Sequence, residues 1–173
     1  MDNNNSFFPD GYSVPASSNN YMRFKTGDNI FRILSMPILG WEGWVIEEGK
    51  RKPKRFRYHE KPIDLRPFDK QKVNHFQAYV VYNFKDEMVQ VLELTQASIM
   101  REIENLYNDV DWGDPREYDL KVTKTGEDLE TRYSVSPKPK KPLTEEIVEA
   151  MKKPVQLEAI FEGLDPFDPN VKV

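Results

Sequence analysis

The chain has 173 residues, 38% hydrophobic and 31% charged, enough for one domain with its own core plus polar ends. It contains no cysteine, which excludes disulfides and thiolate metal sites, and it has no apolar run of the ~18 residues that spanning a bilayer requires. Twenty-nine acids against twenty-five bases leave a net charge of −4, so a basic surface for nucleic acid has to come from segregation of charge rather than from its sum.

The opening MDNNNSFFPDGYSVPASSNN is rich in Asn, Ser and Pro, has no periodicity and lacks the basic start and apolar middle of a signal peptide. It reads as a flexible arm over residues 1–20. A strand follows near Ile30–Leu34, bent at Pro37 and Gly40, and resumes over Trp41–Ile46. Glu48, Gly49 and Lys50 form a turn or loop, Lys54–Tyr58 a short strand, and Pro62–Lys72 a long loop. Asn74–Phe84 is the clearest strand. Phe76, Ala78, Val80, Tyr82 and Phe84 lie on one face; His75, Gln77, Tyr79, Val81 and Asn83 lie on the other. A tight turn at Lys85-Asp86-Glu87 leads into a strand over Met88–Leu94.

Thr95 is placed to cap a helix whose Ile99, Ile103, Leu106 and Tyr107 fall at helical spacing and which ends near Asn108. Tyr118–Thr125 and Leu129–Val135 read as a second hairpin across Gly126-Glu127-Asp128. PKPKKP (Pro137–Pro142) reads as an extended basic linker. Thr144 caps a short helix, with Leu143 and Val148 placed as a hydrophobic staple. Pro154 opens another helix over Val155–Glu162, which Gly163 ends. The divisions are an arm over 1–20, a domain over 21–142, helices over 143–163 and an acidic tail over 164–173. About five strands with one interposed helix suit a small Greek-key barrel, a mixed α+β sandwich being the alternative.

Charge is unevenly distributed along this order. Arg23 to Lys72 holds thirteen bases and seven acids, Phe84 to Asp119 three and ten, and Thr144 to Val173 three and seven. The densest basic stretch is Lys50, Arg51, Lys52, Lys54, Arg55 and Arg57, interleaved with Phe56 and Tyr58, with Lys61 beyond. Bases neutralise phosphates and release counterions; aromatic faces stack unpaired bases of any sequence. Tyr79, on the less apolar face of its strand, and Trp41, after a Gly bend, are further stacking candidates. The competing reading is a solvated basic loop with Phe56 in the core. Asp109, Asp111 and Asp114 are the one carboxylate group that could hold magnesium for a nuclease, although Asp beside a helix end or before a proline ordinarily serves turns. No phosphate-binding glycine loop, nucleophile triad or Cys/His cluster is present.

Several segments together resemble the phage-encoded single-stranded DNA-binding (helix-destabilising) proteins: VPASSNNYMRF, NIFRILSMPILGWEGW, the basic loop, HFQAYVVYNFKDEMVQVLELTQASI, DWGDPREYDLKVTKTGEDLETRYSVSPKPKKPL and the closing EGLDPFDP. The likeness runs from about Val14 to Pro169. It implies a mainly β chain with short helices, an OB-fold (a five-stranded Greek-key barrel) with flexible ends, and no catalysis or cofactor. It further implies sequence-independent binding of single-stranded DNA in replication, recombination and repair, in the cytoplasm of an infected bacterial host. Replication proteins are the implied partners of the acidic tail. The chain departs from the zinc-bearing branch in having no cysteine, and residues 1–20 lack the basic side chains that drive cooperative binding there. On this reading Arg23, Lys25, Arg32, Lys50, Arg51, Lys52, Lys54, Arg55 and Arg57 track the backbone. Trp41, Phe56, Tyr58, Tyr79 and Tyr82 stack bases, and Asp165, Phe167 and Asp168 serve the tail. The rivals are an OB-like protein-interaction module and a magnesium nuclease.

Overall fold

A computed structural model describes residues 19–173, and the arm expected over residues 1–20 lies outside these for all but Asn19 and Asn20. Among the described residues the chain is mainly β, with seven antiparallel strands and few short helices. In order these are β1 (Gly27–Ile33), β2 (Ile38–Glu47), β3 (Lys50–Arg57), β4 (Val73–Asn83), β5 (Met88–Leu94), α1 (Ala97–Asn108), β6 (Asp119–Thr125), β7 (Arg132–Pro137) and α2 (Glu145–Ala150). A last 3-10 turn covers Leu157–Glu162.

The long strand β4 organises the sheet. β2 pairs with its first half, Ile38 opposite Ala78 and Gly43 opposite Val73, and β1 pairs with its end, Phe31 opposite Asn83. β5 pairs with β4 from Gln77–Leu94 to Asn83–Met88. β6 adds to β1 and β7 to β6. The chain entering β1 runs along β5: Val91 N–H donates to Asn20 O and Met22 N–H to Val91 O. Phe24 then packs on Phe31 and on Tyr133 of β7, with ring centroids 6.1 Å apart in each case.

Alternation along the strands separates two apolar clusters. Phe31, Ile33, Tyr79, Val81, Leu92, Leu94, Leu120 and Val122 face one way and are capped by Ile99, Met100 and Ile103 of α1. Phe76, Ala78 and Val91 face the other way and are covered by Leu157, Ile160 and Phe167. The tail expected over 164–173 is therefore docked at its start. Phe167 is 9% exposed, and Gln156 N–H donates to Pro166 O at 2.8 Å. An apolar side chain beside a covered sheet face gains more from burial than from solvent, whatever the charge of its neighbours.

Several local expectations shift for physical reasons. The basic stretch forms the whole of β3 rather than a loop, because Glu48 (φ 51°) and Gly49 (φ 73°) make a two-residue turn with both residues left-handed. Such a turn matches strand twist and lets pairing run to its base. Leu129 lies in a 3-10 turn (Asp128–Glu130), so β7 begins at Arg132. Helix α1 has Gln96 at its N-cap with no side-chain bond, so Thr95 is not the cap. The Pro137–Pro142 stretch is tied down rather than free, since Lys138 N–H donates to Asp119 O and Lys141 N–H to Glu117 O. Thr144 does cap α2, its hydroxyl accepting from Ile147 N–H, while Val148 of the expected staple is exposed. Val155–Glu162 narrows to the 3-10 turn, which Gly163 ends in the left-handed region at φ 69°.

Two substitutions check this packing. Gly40 lies where an added Cβ would run into the Phe56 carbonyl and the Phe76 ring, so Gly40→Ala should cost about 2 kcal/mol in urea unfolding. Phe167→Ala should cost about 3 kcal/mol; a free tail would show no loss.

Candidate nucleic-acid interface

The β2–β3 arm sorts its charges by strand alternation. Trp41 stands opposite Phe56, Gly43 opposite Lys54, Val45 opposite Lys52 and Glu47 opposite Lys50. Glu42 stands opposite Arg55 and Gly40 opposite Arg57. Directly opposed residues share a face. One face therefore carries Trp41, Phe56 and the three lysines; the other carries Glu42, Trp44, Arg51, Arg55 and Arg57.

On the lysine face, Tyr58 stacks on Trp41 (5.8 Å, 18° between planes), and His75 meets both rings, at 5.2 Å from Trp41 and 5.5 Å from Tyr58. Trp41 Nε1–H donates to Tyr58 O at 2.8 Å, which holds the ring in place. The Lys61 ammonium sits 4.1 Å from the centre of the Trp41 ring. Trp41 is thus a covered backing plate, and the ring presented to solvent is Tyr58, 56% exposed. A groove of about 410 Å3 runs from Tyr58 and His75 past Leu39, Gln77 and Met36 to Tyr107 and Arg116. Phe56 turns inward, edge-on to buried Phe68. Lys52 and Lys54 share Glu47, at 3.8 and 3.1 Å. Among the described residues, Lys50 and Lys61 form no ion pair.

The arginine face is largely committed to structure. Arg55 binds Glu42 at 3.1 Å and Glu93 of β5 at 2.8 Å. Arg57 reaches Glu158 at 3.4 Å and lies 4.7 Å from the centre of the Phe161 ring. Arg51 pairs with Asp69 at 3.2 Å and covers Trp44 at 4.4 Å.

Other expected contacts are corrected. Arg32 is 2% exposed. Its guanidinium donates to Arg116 O, Asp119 Oδ1 and Lys141 O, which leaves it closed to a phosphate. Tyr79 is 4% exposed and donates its hydroxyl to Gln77 Oε1 at 2.8 Å; burial pushes its phenol up to about 12. Tyr82 is 5% exposed and packs edge-on against Phe84. Neither ring is open to stacking. Lys25 lies apart, in a small pocket with Asp28, Lys85 and Asp86, and Arg23 borders both that pocket and a larger cavity. In the tail, the Asp165 and Asp168 carboxylates accept from Phe167 N–H and Asn170 N–H and shape turns.

The carboxylates weighed for magnesium are turn-formers. Asp109 Oδ1 accepts from Asp111 N–H, and Asp114 pairs with Arg116 at 2.6 Å. Among the described residues, no group of three or more His, Asp or Glu is gathered as a metal site. His75, Leu39 and Tyr107 line the groove although the sequence does not mark them as site residues, while Lys61, part of the expected basic stretch, lies over the Trp41 ring. His75 shares a face with Gln77 and Tyr79, which alternation alone shows, but its position beside Trp41 depends on the β2–β4 register.

Comparison with protein-family models, curated proteins and solved structures finds no match for this chain.

Burial, and then the neighbouring Glu93 carboxyl, push the Glu42 carboxyl up to about 8. The folded state therefore keeps a proton that an ordinary Glu in the unfolded chain releases. Stability should fall as pH rises from about 4.5 toward 8. Thermal melts across that range should show the decline, and Glu42→Gln should flatten it.

Proposed function

We propose that the protein binds single-stranded DNA without covalent chemistry, through the lysine face of the β2–β3 arm and the groove beside it. The observation that carries the reading is the Tyr58 ring, exposed in a groove, backed by Trp41 and His75, with lysines on the same face. A base stacks on Tyr58, while Lys61 leaves Trp41 for a phosphate, and Lys54, Lys52 and Lys50 follow the backbone along β3. Each stacked base contributes about 1–3 kcal/mol. Lysine is suited to this because its ammonium makes no fixed-angle demand on the phosphate. Preference for unpaired strands shifts the duplex equilibrium by mass action, with no energy source.

The pairing pattern supports an OB-type barrel as the scaffold. β1 and β2 act as two halves of one bent strand. The second strand, β4, pairs with it; the third, β5, pairs with β4; the fourth, β6, pairs with β1; and the fifth, β7, pairs with β6. Segment 20–24 occupies the side of β5 where such a barrel closes. The β2–β3 arm then elaborates the first loop, one of the two through which OB folds grip oligonucleotides. Replication, recombination and repair in a phage-infected cell are the setting that the sequence resemblance suggests. Replication proteins would meet the exposed Asp165 and its surroundings rather than the buried Phe167.

A second reading, a protein-interaction groove, draws on the exposed Met36, Leu39 and Tyr107. Titration of labelled oligo-dT separates the two. Strand binding predicts a log–log salt slope of about −0.7 per phosphate contacted. Tyr58→Ala should weaken binding about tenfold with an unchanged melting temperature. No binding at low salt would reject the reading.

A further inference from the structure

The lysine face of the arm also carries an acid, Glu47. Gly43, Val45 and Glu47 of β2 stand opposite Lys54, Lys52 and Lys50 of β3, and directly opposed residues share a face. The Glu47 carboxylate pairs with the Lys54 ammonium at 3.1 Å and with the Lys52 ammonium at 3.8 Å. The register makes the Lys54 pair informative. Lys54 stands opposite Gly43, and Gly43 and Glu47 are separated by about 13 Å at the rise of a strand. The two side chains therefore meet by lying along the arm toward each other. Val45, between them on β2, is 6% exposed, while Glu47, Lys52 and Lys54 keep 46%, 50% and 52% of their side-chain surface in solvent. Ion pairs this exposed are weakly held, because water competes for both partners, and so are open to exchange. The hydrogen bond and charge of Lys54, and then the charge of Lys52, hold the Glu47 carboxyl below the usual carboxylate range. Glu47 is thus an anion throughout the neutral range.

We propose that Glu47 is an internal stand-in for a backbone phosphate. It holds Lys52 and Lys54 down along the arm until a strand arrives, and binding exchanges its carboxylate for phosphate oxygens. A carboxylate and a phosphodiester look alike to an ammonium: each presents one negative charge spread over two acceptor oxygens. The lysine ammonium, a compact charge on a flexible stem, turns from one to the other without a fixed-angle demand. The exchange withholds part of the affinity, since each lysine must give up a partner to gain one. It also weakens the attraction at a distance, because a neutralised lysine adds little to the positive potential that draws the strand in. The inference rests on the single-strand reading above and names the residue that sets its strength.

The experiment titrates labelled oligo-dT, read by fluorescence anisotropy, into the full chain carrying Glu47→Gln. Glu149→Gln, which removes a carboxylate that pairs with Lys152 beside α2, is the control with the same change in net charge. Glu47→Gln should bind about fivefold more tightly at low salt, the size of an exposed ion pair. The gain should shrink toward none near about 1 M salt, where screening acts within about 3 Å. Glu149→Gln should stay within about twofold of the unsubstituted protein. In a Lys52→Gln, Lys54→Gln background the Glu47→Gln gain should vanish, because no lysine is left to release. Unchanged affinity in Glu47→Gln would overturn this inference and leave the proposed function intact. An equal gain in Glu149→Gln would overturn it by assigning the effect to net charge. A gain that persists without the two lysines would overturn it in favour of direct repulsion between Glu47 and the strand. Failure of the unsubstituted protein and of every variant to bind at low salt would overturn the proposed function together with it.

Discussion

The Arg55 guanidinium, held between Glu42 and Glu93, fixes the β2–β3 arm against the body of the sheet. β3 is an outer strand whose ladder runs to β2 alone. Its backbone therefore places it beside β2, but does not tie it to β5. Arg55 makes that tie, and Arg57 adds a second one to the C-terminal segment. Three charged groups in a poorly solvated site would be costly if all were ionised. The cost is limited because Glu42 retains its proton at neutral pH, leaving one cation against one anion. Arginine suits this role, since its planar fork can serve two carboxyl groups at once.

From that anchor the two faces of the arm acquire different uses. A strand forces neighbouring residues to opposite sides, so a stretch that is uniformly basic in one dimension becomes a lysine face and an arginine face in three. The arginines are spent on ion pairs and on ring contacts at Trp44 and Phe161. The lysines stay at the surface on the Tyr58 side of the arm, Lys52 and Lys54 sharing only Glu47. A protein with a net charge of −4 thus keeps a local cationic strip without a basic composition. The Trp41–Tyr58–His75 group stands at the end of this strip, where β2, the exit of β3 and the start of β4 meet.

The acidic end of the chain has a structural part as well. Leu157, Ile160 and Phe167 close the second apolar cluster, and Glu158 and Glu162 meet Arg57. The segment therefore covers the sheet and also neutralises one of the arginines counted as basic in the sequence. Arg32 is a parallel case. It joins β1 to the loop before β6 and to the stretch after β7 by hydrogen bonds to two carbonyls and one carboxylate.

The sequence by itself determined the local features. Period-two patterning marked β4 and separated its two faces, the bounds of β5 agree with its apolar run, helical spacing marked α1, and Gly163 marked a left-handed stop. These depend on neighbours along the chain, and the backbone geometry that expresses them is the same in any fold. Only the tertiary structure decided which charges and rings remain available. Tyr79 and Tyr82 fall on opposite faces of β4 and both are buried, because α1 covers one side of the sheet and other packing closes the other. Arg32 and Arg55 read as two more bases until Asp119 and Glu93 come to meet them from 87 and 38 residues away, and Glu42 from across the β2–β3 hairpin. Pairing register sets those meetings, and register is a property of contacts distant in sequence that composition and periodicity do not encode.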